Sequence, residues 1–223
     1  MLDDLPAFLP TVLAVMALTF IPFLAVMATA FTKISIVLML LRNALGVQQA
    51  PSGLVINSIA LTLTIFILVP VGDEIARKIQ TDDLALRDWD SALRLFDVVR
   101  ASLVGYLERF TNDREMVFFM DAARKIWPES LHSYINDKNL FLMLPAHVVS
   151  EITRAFEIGF LLFLPFVVID MVVSNILLAM GAMMVPPMLV SLPIKILLFV
   201  AVDGWARLLH ALVLSYAVPI SGG

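Results

Sequence analysis

Four ionisable residues stand where the chain is otherwise apolar. Asp170 and Lys195 each interrupt a long uncharged stretch, and Asp203 and Arg207 follow, four residues apart. An ionisable group inside an apolar run is costly, so it is paired or functional by default. One reading makes these residues structural pairs that orient packed helices. The other makes them a proton path or a substrate-facing ring. Asp203 and Arg207 have the spacing to pair within their own helix. Glu151, Arg154 and Glu157 form a similar ladder just ahead of the apolar stretch.

A second group has chemistry of a softer kind. Met180, Gly181, Ala182, Met183, Met184, Val185, Pro186 and Pro187 place three methionines around a turn. Methionine is unbranched, apolar and adaptable. It serves either as ordinary filler at a hairpin turn or as a deformable seal around a pore. His132, His147 and His210 lack an i,i+4 histidine partner and any acidic cluster of metal-ligand spacing, so they read as polar surface or interface residues rather than a metal site. There is no G-x-S-x-G, no P-loop and no G-x-G-x-x-G. An intramembrane aspartyl protease would need Asp170 and Asp203 as a dyad sharing one proton. Their contexts here are Val-Ile-Asp-Met and Val-Asp-Gly-Trp, not the Tyr-Asp and Gly-x-Gly-Asp of such enzymes.

The elements that must position these residues follow from composition. Of 223 residues, 61% are hydrophobic and 15% charged, with a mean hydropathy of +0.95. Soluble domains run at about 45–50% apolar and about 25% charged. The chain therefore falls in the membrane class. Residues 73–157 hold 15 acidic and 11 basic side chains out of 34 charges in all. The chain reads as one all-α unit of three parts: apolar helices over 1–72, an amphipathic helical insertion over 73–157, and an apolar helical hairpin over 158–223. A net charge of −4 without any basic run argues against nucleic acid. Zero cysteines exclude disulfides and thiolate chemistry. Met1-Leu2-Asp3-Asp4 lacks the basic start of a secretory signal, so the first apolar run reads as retained.

That first run, 5–32, is long enough to span a bilayer, with Pro6 and Pro10 at its entry and a kink expected at Pro22. Lys33–Arg42 is too short to span, and continues the first helix or forms a hairpin tip. A turn is expected over 46–52, then an apolar helix centred on Leu54–Val71. Trp89, Leu93, Phe96, Val99, Leu103, Leu107 and Phe110 recur at three- and four-residue steps, the mark of a one-faced helix. Met116, Phe119, Met120, Ala123 and Trp127 predict a second, stopped at Pro128. Pro145 suits a first helical position, and the helix it opens runs on into the apolar stretch. The hairpin is expected as helix 155–180, turn, helix 188–217. Lys33 and Arg42 favour the cytoplasmic side for the first connection, with the acidic middle outside.

Several stretches resemble the FliP/SctR family. Thr32-Lys33-Ile34-Ser35-Ile36-Val37 and Leu41-Arg42-Asn43-Ala44-Leu45-Gly46-Val47-Gln48-Gln49-Ala50-Pro51 are similar to its first signature. Phe160-Leu161-Leu162-Phe163-Leu164-Pro165-Phe166-Val167-Val168-Ile169-Asp170 resembles the second. Ser174-Asn175-Ile176-Leu177-Leu178-Ala179-Met180-Gly181, Leu192-Pro193-Ile194-Lys195-Ile196-Leu197-Leu198-Phe199 and Val202-Asp203-Gly204-Trp205 extend the likeness. It covers roughly 10–72 and 140–217, while 73–139 matches only in length and character. The injectisome branch (SctR, YscR, HrcR) resembles this chain more than flagellar FliP does.

The resemblance implies a core subunit of a type III secretion export gate in the bacterial inner membrane. It implies a homopentameric ring joined by SctS/FliQ-like and SctT/FliR-like subunits, with a SctU/FlhB-like switch protein nearby. Much of the assembly would sit above the membrane plane, on the periplasmic side. Unfolded protein would pass through the ring, with no cofactor and no catalysis. Met180, Met183 and Met184 would be the gasket of the closed pore, held by the turn at Gly181, Pro186 and Pro187. Ala182 stands where many relatives have methionine. Glu151 and Lys195 match positions of contact between neighbouring subunits, and Asp170 matches an aspartate of structural or assembly role. A lone Lys195 is then expected to find a carboxylate across a subunit boundary, with Glu151 the candidate. The alternative is an ion-coupled small-solute transporter with Asp170 and Lys195 as coupling charges.

Overall fold

The computed structural model describes residues 19, 26–47, 50–81, 89–182 and 184–217, with 89–93 as backbone alone. Among these residues every regular element is helical. Most of the expected first run, with its kink at Pro22, lies outside the described residues.

Helix α1 spans Phe31–Leu45 and is the centre of the molecule. Ile34, Val37, Leu38 and Leu41 are all fully buried along one face, while Met39 on the other side is 39% exposed. A turn at 28–30 sets it apart from what precedes. Lys33–Arg42 is therefore neither a continuation nor a hairpin tip but a core helix. It ends at Gly46, whose φ of 78° is left-handed and whose N–H bonds the Asn43 carbonyl at 3.0 Å.

Helix α2 spans Gly53–Thr81 and carries Pro70. Its apolar part is the expected one, and its polar end continues to pack on α3, Trp89–Phe110. There Lys78 bonds Glu74 at 2.6 Å, and Ser102 of α3 meets Lys78 at 3.2 Å and Glu74 at 3.3 Å. Helix α4 spans Asp113–Ile126, capped by Asn112, which accepts from the Arg114 N–H at 2.9 Å. It stops before Pro128 as its pattern predicts. A 3-10 turn over Glu129–Tyr134 leads to α5.

Helix α5, Leu140–Ala179, is the spine. It starts ahead of Pro145, because Asn139 supplies the cap by accepting from the Phe141 N–H at 2.9 Å. Pro145 and Pro165 both lie inside it. Forty residues make a helix of about 60 Å, roughly twice the hydrocarbon thickness of a bilayer. Gly159 lets α5 pack closely on α1, since a Cβ there would lie 2.2 Å from Leu40 Cδ1.

The second arm differs from the expected single helix over 188–217. It is two helices, α6 (Pro187–Ala201) and α7 (Gly204–Leu214), bent by 60°. Asp203 sits at the corner with φ 55°. Gly204 lies against the Phe199 ring, where a Cβ would come within 2.3 Å of Cε2. The bend lets α7 return Leu208, Leu212 and Tyr216 to the α1 core. By length and composition α2 and α5 can each cross a membrane among the described residues, and the bent pair α6 and α7 is a broken span or a re-entrant loop.

Candidate functional site

The α5 helix organises one polar network on its buried face, through His147, Ser150, Glu151 and Arg154. These positions recur at helical spacing and meet the elbow between α3 and α4. Arg154 donates to the Phe110 carbonyl at 2.9 Å, and Ser150 Oγ accepts from the Asn112 N–H at 2.9 Å. His147 Nδ1 lies 3.4 Å from Thr111 Oγ1, which donates to the Leu107 carbonyl at 2.7 Å. The Leu107 carbonyl also accepts from the Thr111 N–H at 2.8 Å, and the Arg154 side chain serves the Phe110 carbonyl, which the end of α3 leaves without a helical partner.

Glu151 is the anionic centre, fully buried at 0% exposure. It lies 3.7 Å from Lys33 Nζ and 3.5 Å from Arg154, and it accepts from the Tyr216 hydroxyl. Lys33 Nζ also sits 3.6 Å above the centroid of the Tyr216 ring. Burial lowers the pKa of Lys33, against which Glu151 acts. Burial and then the Glu151 charge push the Tyr216 hydroxyl well up, so it remains a neutral donor. The expected ladder thus closes between Glu151 and Arg154, while Glu157 takes no part.

The two isolated charges of the hairpin meet each other. Lys195 on α6 pairs with Asp170 on α5 at 2.6 Å and donates to the Ala44 carbonyl at 3.2 Å. Ala44 is in the last turn of α1, where a cation complements the helix end. The partner expected for Lys195 across a subunit boundary was Glu151. Within the chain the two occupy separate networks: Lys195 takes Asp170, and Glu151 is enclosed behind Lys33. Asp170 keeps 46% of its side chain exposed. Asp203 and Arg207 do not pair, because Asp203 lies at the corner rather than inside a helix.

The methionine turn closes α5 as a Schellman motif. The Ala182 N–H bonds the Leu177 carbonyl at 2.9 Å and the Gly181 N–H bonds Leu178 at 3.0 Å. Gly181 takes the left-handed φ of 74° that this requires. Pro186 caps α6 and Pro187 opens it. Met180 and Met184 project outward, 70% and 96% exposed. Met183 lies outside the described residues.

Three participants were not singled out for this site in the sequence. Lys33 and Tyr216 are distant from Glu151 in the chain, and His147, expected as a polar surface or interface residue, is wholly buried within the chain. The one available signal was the i, i+3, i+4, i+7 polar face of α5. Among the described residues no group of three His, Asp or Glu side chains converges as for a metal ion.

The chain matches the FliP family over residues 14–212. It is 45% identical to the Yop proteins translocation protein R of Yersinia pestis over 213 residues, 96% of this chain and 98% of the relative. It is 41% identical to the hypersensitivity response secretion protein HrcR of Ralstonia nicotianae, over 94% of this chain and 97% of that one. It is 41% identical to the surface presentation of antigens protein SpaP of Salmonella typhi, over 89% and 92%.

Proposed function

The chain belongs to the FliP family, and from that premise we propose that it is a pore-forming core subunit of a type III secretion export gate, conducting unfolded protein across the bacterial inner membrane. The observation that carries the reading is end-to-end similarity to secretion proteins, with an exposed methionine turn at the tip of an apolar hairpin. Several copies would form a ring, a homopentamer in the family pattern, with SctS/FliQ-like and SctT/FliR-like subunits completing it and a SctU/FlhB-like protein beside it.

The physics of the seal follows from side-chain chemistry. Met180, Met183 and Met184, brought together around an axis, pack without directional bonds. A passing chain of any sequence can displace them, and they close behind it. Gly181, Pro186 and Pro187 hold the turn that presents them. The subunit itself does no catalysis. The length of α5 supports an assembly standing partly above the bilayer, because half of it exceeds the hydrocarbon core. The wet insertion, α3 and α4, would lie on the periplasmic side. The transporter alternative treats Asp170 and Lys195 as separate coupling charges, and in this chain they engage each other at 2.6 Å.

The test is the native mass of the particle extracted in mild detergent with the neighbouring small membrane subunits co-expressed. A discrete heteromer with several copies of this chain supports the gate. A stable monomer or dimer beside folded partners overturns it.

A further inference from the structure

Among the described residues two buried side-chain polar atoms lack a hydrogen-bond partner of good geometry: the Tyr106 hydroxyl, whose oxygen has only the Ala30 backbone beside it and whose hydrogen has no acceptor, and His147 Nε2. Both residues are more than nine-tenths buried, and their rings are neighbours, with centroids 6.3 Å apart and planes inclined at 56°. Native interiors rarely leave such groups unpaired, and each pairing lost there is costly.

The Thr111 hydroxyl gives its hydrogen to the Leu107 carbonyl, so toward His147 its oxygen can only accept. The hydrogen on the imidazole is then on Nδ1. That leaves Nε2 as a bare acceptor. Two cations border this region, Lys33 on α1 and Arg154 on α5, with Glu151 between them. A third cation on the ring is disfavoured, so the neutral Nδ1–H tautomer is the one that fits. The other orphan, the Tyr106 O–H, is a donor as well as an acceptor. Beside each other lie one donor and one acceptor that do not touch.

We propose that a single buried water bridges the Tyr106 hydroxyl and His147 Nε2. The water accepts from Tyr106 and donates to His147, which completes a relay from Tyr106 through His147 and Thr111 to the Leu107 carbonyl. Buried waters take this role between otherwise unsatisfied groups. The relay ties one turn of α3 to α5 and fixes the elbow from which α4 departs. Its partners are all within this chain, so it belongs to the subunit and stands whether or not the export reading does.

The test uses the assembled particle with its co-expressed neighbours. The histidines are labelled with nitrogen-15, and His147 is assigned by the loss of its signals in a His147→Asn particle. The expected spectrum shows Nδ1 protonated and Nε2 accepting a hydrogen bond. Tyr106→Phe should move the Nε2 resonance toward that of an unbonded nitrogen while leaving His132 and His210 in place. A high-resolution density map should show one solvent peak within hydrogen-bonding distance of both atoms, lost in Tyr106→Phe. An Nε2-protonated ring, a direct Tyr106–His147 bond with no peak between, or an Nε2 resonance indifferent to Tyr106→Phe would each overturn the proposal. Tyr106→Phe removes one oxygen from a buried ring, so the spectrum is read from a particle that still assembles.

Discussion

Replacing Glu151 by Gln tests whether the central polar cluster is an ion pair on which the fold depends. Lys33 is 2% exposed and Glu151 0%. Removing one member of a buried pair leaves the other charge uncompensated, at a cost of about 3–5 kcal/mol. Lys33 keeps the face of Tyr216, a cation–π contact worth roughly 2 kcal/mol when desolvated. That contact already exists in the wild type, so it does not offset the loss. The neutral amide can still accept from Tyr216. We therefore expect about 4 kcal/mol for Glu151→Gln. Lys33→Met should cost less, about 2 kcal/mol, because Glu151 retains Arg154 and Tyr216. The double variant Lys33→Met/Glu151→Gln should lose only about 2–3 kcal/mol, well under the sum, which gives a coupling of about 3 kcal/mol.

For a chain of this length 1 kcal/mol corresponds to roughly 2–4 °C in Tm. The assay is heat-induced dissociation of the assembled particle in detergent. Glu151→Gln should fall by about 8–16 °C, and the double variant should regain part of that. A Glu151→Gln particle that melts with the wild type, or a double variant no better than Glu151→Gln, would refute the pairing.

Three further outcomes are expected. Replacing Met183 and Met184 by Ala should leave assembly intact and let ions or small solutes leak through the membrane, read as ion flux in intact cells; an assembled but fully tight variant would sink the seal. Asp170→Asn should harm more than Lys195→Ala, since it leaves the buried Lys195 uncompensated, and the exchange Asp170→Lys with Lys195→Asp should recover assembly yield in part. Gly204→Ala should cost about 3 kcal/mol or more, because its Cβ would meet three atoms of the Phe199 ring within 2.7 Å, whereas Gly159→Ala asks only Leu40 to move and should cost about 1–3 kcal/mol. Equal melting of the two glycine variants would contradict the corner at Asp203–Gly204.

Helices with one apolar face announced themselves. The positions from Phe96 to Phe110 and from Met116 to Trp127 carry a phase, and Gly46 and Pro128 carry stops. The second arm is apolar along most of its length, and the Asp203-Gly204 dipeptide is a local turn signal at the break that hydropathy overrides. That break depends on Phe199 lying across Gly204, a tertiary contact that periodicity does not encode. The Asp170–Lys195 pair is legible in hindsight. Asp170 lies ten residues before Met180 and Lys195 eight after Pro187, so a tight hairpin sets them at matching heights. No such symmetry relates Lys33, Glu151 and Tyr216. They meet because α1 packs on α5 and the bend returns Tyr216 to the same core.

The partition of the chain is the reverse of a soluble globule. Lys33, Glu151, His147 and most of Lys195 are inside, while Met184, Phe141, Ile126 and Leu54 are among its most exposed side chains. Apolar contact alone cannot set the register of helices that are apolar all round, since each can rotate or slide and still be covered by lipid or by a neighbour. A buried ion pair adds little net stability, yet it penalises every register that breaks it. We hypothesise that the two networks serve that purpose: Glu151 fixes α1, α5 and the end of α7, and Lys195 fixes α1, α5 and α6. The double variant of Lys33 and Glu151 separates register from stability. If the hypothesis holds, it should assemble with broadened heterogeneity in density around α1 even where its melting recovers. A double variant with wild-type melting and an equally well-defined α1 would show that packing alone sets the register.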